Sequence, residues 1–194
     1  MAQIQIKMAE DKHLDHALSV LTTDLCLQVG SSIFSACRQV THSDSVHVGQ
    51  ESYATWMCEN AKMFTLFKTH DSTLVFSHTN GVLYQSSPLA RLSNECPVDT
   101  AVLCQFTVDT VESGESEPRL LAFDIISQEP LSPELRGIRL RALAVHLPIP
   151  LCCAQWVGPR MHLSVDFVKK LPHRVSGMFV LGQDPAVLSA VELC

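Results

Sequence analysis

Asn80-Gly81 sits between two short runs of β-branched and aromatic residues, 74–78 (LVFSH) and 82–86 (VLYQS). Asn-Gly is the pair that adopts left-handed backbone at two successive positions most readily, so it predicts a tight hairpin there. The same strand-like texture covers 53–67 (YATWMCENAKMFTLF), 100–109 (TAVLCQFTVD) and 119–127 (RLLAFDIIS). The last two are joined across the polar loop 112–118 (ESGESEP), a second expected hairpin. A mostly antiparallel sheet over 53–128 follows. Helical spacing appears elsewhere. Leu14, Ala17, Leu18, Leu21 and Leu25 predict a helix over 9–29 that Gly30 stops. Pro133, Leu135, Ile138, Leu140 and Leu143 predict another over 133–146. Residues 159–171 and 185–193 are expected as further helices, and 175–182 (VSGMFVLG) as a last strand. The fold class is α+β, with an N-terminal helix packed on a sheet core.

Composition narrows the function. Of the 194 residues, 46% are hydrophobic and 18% charged, a globular balance. No apolar run reaches the ~18 residues of a membrane helix, and the acidic N-terminus lacks a signal-peptide core. Eight cysteines at irregular spacing, with no CxxC pair, point to a reduced compartment, cytoplasm or nucleus, and to no metal site. The net charge of −6 opposes indiscriminate nucleic-acid binding, and DNA is not an expected partner. The charge is uneven, however. Residues 1–118 hold 6 lysines and arginines against 14 acids, whereas 119–194 hold 8 against 6. Arg136, Arg139, Arg141, Lys169, Lys170 and Arg174 form a candidate basic patch. One segment is harder to explain: Phe123-Asp124 places a carboxylate inside an apolar strand, with arginines close behind. A buried carboxylate needs partners, and an arginine is a good one.

The order of pieces resembles the covalent nucleotidyltransferase superfamily of mRNA guanylyltransferases and nucleic-acid ligases. The likeness rests on the Asn-Gly hairpin, Thr100-Ala101-Val102-Leu103-Cys104-Gln105-Phe106, the strand with Phe123-Asp124-Ile125, the arginine helix and Ser176-Gly177-Met178-Phe179-Val180. It spans roughly 49–182, which divides the chain into an N-terminal helix and linker, 1–48, and a nucleotidyltransferase-like domain, 49–194. The lysine motif of that superfamily is degenerate here. Asn60 stands where the nucleophilic lysine belongs, Lys62 at the aspartate and Met63 at the glycine. An amide nitrogen cannot attack phosphorus. Gln105 and Ser176 replace two further carboxylates. No catalytic residue and no enzymatic activity are therefore expected, and no cofactor.

The chain is also similar to the snurportin trimethylguanosine cap-binding domain, which likewise lacks the lysine. The shared features are Gly49-Gln50-Glu51, Cys58 with Lys62 four residues on, Cys104 in the next motif, and the segment 138–147 (IRLRALAVHL). By that resemblance Cys58, Lys62, His78, Gln105, Phe123 and Asp124 would line a nucleotide pocket, with Phe123 stacking on the base. The partner would be a guanine nucleotide or the capped 5′ end of an RNA. Residues 1–30 contain no arginine, so an import-adaptor arm is not expected. The alternative is a non-enzymatic protein-interaction scaffold on the same fold, its pocket closed by Met63 and Phe64. A hydrolase using Cys58 with His70 or His78 is a third reading.

Overall fold

The computed structural model describes residues 19–20, 41–43, 52–68, 73–78, 82–85, 101–110, 113–126, 131–147, 152–160, 163–183 and 187–192. They build two sheets. The seven-stranded sheet runs β1 (Ser19–Val20), β6 (Val82–Gln85), β5 (Thr73–Ser77), β4 (Lys62–Lys68), β7 (Ala101–Thr110), β8 (Ser116–Ile126) and β9 (Cys152–Ala154). The five-stranded sheet runs β10 (Gly158–Pro159), β3 (Tyr53–Cys58), β11 (Val175–Leu181), β12 (Val187–Glu192) and β2 (Thr41–Ser43). Pairing is antiparallel except for β8 with β9 and β12 with β2. Two helices accompany them, α1 (Pro133–Ala144) and α2 (Val165–Val168). The α+β expectation of a sheet-rich chain holds.

The four strands β5, β4, β7 and β8 of the larger sheet divide their side chains between two cores, as period-2 alternation requires. Phe64, Leu66, Val102, Cys104, Phe106, Leu120 and Ala122 pack in one cluster with Leu140 of α1. Met63, Phe67, Leu74, Ala101 and Leu103 pack in the other, with Phe179 and Leu181 of the smaller sheet. The larger sheet is thus sandwiched between a helix and a second sheet. A β-bulge lies between Leu103 and Cys104 of β7, opposite Asp124 and Ala122, and leaves Phe123 as the extra residue. After it the alternation shifts: Ile125 joins the first cluster, Phe123 and Ile126 the second.

Both hairpin expectations are met. β5 pairs β6 from Ser77↔Val82 outward, and β7 pairs β8 down to Thr110↔Ser116. The helix at 133–146 is present, capped by Ser132, whose hydroxyl accepts from the Leu135 N–H at 3.3 Å, with Pro133 at its start.

Four local expectations change. The run 53–67 is not one strand: it turns at Glu59-Asn60, where Asn60 has φ 55°, and passes from the smaller sheet to the larger. Residues 187–192 are a strand, not a helix, because β11 offers them a ladder from Gly177↔Glu192 to Leu181↔Leu188. A helix of nine residues has little stability of its own to set against that pairing. Among the described residues of 159–171 only Val165–Val168 is α-helical. Of the 9–29 helix, Ser19–Val20 is instead a strand paired with Tyr84 and Gln85; the remainder lies outside the described residues.

Candidate functional site

Asp124 and Arg136 answer the question raised by the buried carboxylate. Arg136 is 1% exposed and its Nε donates to Asp124 Oδ1 at 2.8 Å. Its other nitrogens donate to the carbonyls of Leu131, Gly182 and Gln183, so the guanidinium ties α1 to β8 and to the end of β11. Asp124 Oδ1 also accepts the Ile125 N–H at 2.8 Å. Burial pushes the Asp124 carboxyl up from its ordinary value, and the Arg136 hydrogen bond and charge offset part of that rise. This is a clamp on the fold. Arg136 therefore leaves the expected basic patch.

Gln105 joins the two sheets. Its carbonyl oxygen accepts the Cys58 N–H at 2.8 Å, and its amide donates to the Trp56 carbonyl at 2.7 Å and to Gln155 Oε1 at 2.8 Å. Gln155 in turn donates to the same Trp56 carbonyl at 2.6 Å. All three groups lie between β7 and β3, where an unpaired amide would be costly. Gln105→Leu should destabilise the protein by about 2–3 kcal/mol, because it strands the buried Cys58 N–H. A urea titration reads this directly, and an unchanged midpoint would show that the network contributes nothing.

Phe123 is 0% exposed and its ring stacks on Phe179, centroids 5.2 Å apart and 17° between planes. Cys58 is buried, and desolvation pushes its thiol up to about 12, so it is a thiol and no nucleophile near neutral pH. His78 is half-buried beside Thr65, with 2.6 Å between Nε2 and the hydroxyl. The space between Gln105 and Phe123 is therefore filled. Lys62 alone of the six sequence candidates reaches an open cleft.

That cleft, about 750 Å³, lies between the Glu59-Asn60 turn, the end of β7 and the segment after α2. Its walls are tied to each other: the Glu59 N–H donates to the Arg174 carbonyl and the Thr110 N–H to the Pro172 carbonyl, both at 2.9 Å. Lys62, Lys169 and Arg174 line it, with Phe106 and Val108 as apolar floor. Glu59 is the one carboxylate among its lining residues, 3.9 Å from Arg174. Lys169 and Arg174 belong to the expected patch; Arg139, Arg141 and Lys170 are exposed outside the cleft lining.

Sequence reasoning missed His173. Its Nδ1 lies 2.8 Å from Asp109 Oδ1, and Arg119 Nε donates to Asp109 Oδ2 at 3.2 Å. Asp109 is the penultimate residue of β7 and His173 precedes β11, so only the tertiary fold joins them; no spacing rule would have found the pair. Among the described residues no group of three or more histidines, cysteines and carboxylates could hold a metal ion. None of the described helices is long and apolar enough to cross a membrane.

No protein-family model and no curated protein matches the chain. Among solved structures it is similar to mycobacterial DNA ligase D complexed with ATP and MES, at 13% identity and TM-score 0.45, over 78% of this chain and 58% of that one. It is likewise similar to the ligase domain of LigD from M. tuberculosis, at 13% identity and TM-score 0.47, over 79% of this chain and 57% of that one. The chain spans less than two thirds of either protein. At this identity the likeness is one of fold. The expectation of a non-enzyme is withdrawn: the similar structures are ligases, and so distant a likeness assigns this chain neither their activity nor its absence.

Proposed function

We propose that this chain binds a nucleotide, gripping its phosphates in the cleft beside Lys62, and that the capped 5′ end of an RNA or a guanine nucleotide is its ligand. One observation carries the reading: Lys62, Lys169 and Arg174 converge on an open cleft with one facing carboxylate, in a chain of net charge −6. Cations gathered against the overall charge mark a place where an anion is held rather than a solvated surface. A lysine and an arginine each supply charge-assisted bonds to phosphate oxygens. The guanine part of the reading rests on the sequence resemblance to a cap-binding domain, of whose six candidate residues Lys62 lines the cleft.

The expected result is saturable, salt-sensitive binding of GTP and of mono- and trimethylated cap analogues. Lys62→Ala and Arg174→Ala should each weaken it about tenfold, the loss of one charge-assisted bond. Titration by fluorescence anisotropy with ATP, GTP, cap analogues and a short capped RNA checks this. No binding tighter than about millimolar for every ligand would sink the reading. A second reading, a protein-interaction module, is favoured by Leu135 and Ile138, about half exposed on the outer face of α1. Failure of every nucleotide would leave that face as the functional surface.

A further inference from the structure

The geometry points to His173 as the inner phosphate contact of this cleft: its Nε2, buried and without a partner among the described residues, would bond, in the imidazolium form, a phosphoryl oxygen that Lys62 and Arg174 bring in. This rests on the proposed phosphate-binding cleft and names the residue at its base. The His173 side chain is 6% exposed and lines the cleft. Its Nδ1 is committed to Asp109, and its Nε2 has no hydrogen-bond partner among the described residues. Buried ring nitrogens are normally satisfied, so an orphan on a residue that lines a cleft calls for a partner that enters it.

The ring is held as well as buried. Its two sequence neighbours are pinned by backbone bonds, Pro172 to Thr110 and Arg174 to Glu59. Asp109 fixes the ring plane from behind and is itself held by Arg119. With Nδ1–H given to the Asp109 carboxylate, Nε2 donates only in the imidazolium form, which that carboxylate and an anionic ligand would together favour. The groups facing the ligand would then be Lys62, Lys169 and Arg174 at the rim and His173 at the base, opposed by Glu59 in the lining, by Asp166 3.6 Å from Lys169 and by Asp109 on Nδ1.

Two substitutions separate the ligand contact from the structural one. The amide nitrogen of asparagine reaches about as far as Nδ1 and keeps the Asp109 bond; that of glutamine reaches about as far as Nε2 and keeps the donor. Isothermal titration with inorganic pyrophosphate and with GTP should show His173→Asn roughly tenfold weaker for both ligands, and His173→Gln within about threefold of wild type. In the wild-type protein the ¹⁵N resonance of His173 Nε2 should move on adding pyrophosphate, a readout that survives if either variant fails to fold. Unchanged binding by His173→Asn, an unmoved Nε2 resonance, or no pyrophosphate binding by the wild type overturns the inference. GTP binding that Lys62→Ala weakens but His173→Asn does not would leave the nucleotide reading standing without it. Pyrophosphate held through His173 with no gain from a nucleoside would do the reverse.

Discussion

Arg136→Ala should cost about 3–5 kcal/mol of stability, the range for removing one partner of a buried ion pair. The loss is large because the change leaves the Asp124 carboxylate unpaired at 2% exposure and strips donors from the carbonyls of Leu131, Gly182 and Gln183. The deficit should depend on pH, with a definite sign. Burial already raises the Asp124 carboxyl in the folded protein, and Arg136 opposes that rise. Without Arg136 the carboxyl rises further, so the folded variant binds its proton more tightly than the unfolded chain does. Stability from a group raised in this way is present below its folded value and lost as pH climbs through it. The variant should therefore lie closer to wild type at the acid end of the folded range than at neutral pH. Urea midpoints under the two conditions check it; a deficit that widens on acidification would contradict the assignment. The double change Asp124→Leu with Arg136→Met should recover much of the loss, since apolar replacement of a buried pair is often close to neutral.

Phe123→Ala should cost a further ~3–5 kcal/mol, as truncating a buried aromatic does. The ring fills the space between the two sheets and lies flat on Phe179, so its removal opens a cavity on both sides of the contact. At ~2–4 °C per kcal/mol for a chain of this size, the melting temperature should fall by roughly 10 °C. Phosphate or nucleotide affinity, measured well below that temperature, should stay within about twofold, because the ring does not line the cleft. A base-stacking role would give the opposite pattern, with affinity lost and stability kept.

These two residues show where reading the sequence succeeds and where it stops. The Asn80-Gly81 signal, the polar loop before Arg119 and the Ser132-Pro133 start of α1 are local devices, and each marks a pairing or an end that is present. The need of Asp124 for an arginine was legible too, because burial of charge obeys the same rule in any fold. The role of Phe123 was not. An apolar ring in an apolar strand reads alike whether it faces a ligand or a second sheet, and only the bulge at that residue and the approach of Phe179 decide between them. The turn at Asn60 was hidden because residues 53–67 carry strand character on both sides of it. Residues 187–192 were misread because a weak helical pattern yields to an open strand edge.

The cleft was the least legible of all. The amino-acid sequence by itself determined the sheet-rich class, the paired charges of β8 and α1, and a basic C-terminal half. Only the tertiary structure selected Lys169, Arg174 and His173 from that half and Lys62 from the start of β4, and set Asp109 on the imidazole. Local periodicity records which face of an element is buried. Which elements meet is set by pairing across 64 residues of chain, as between Asp109 and His173, and that distance leaves no mark in the residues between.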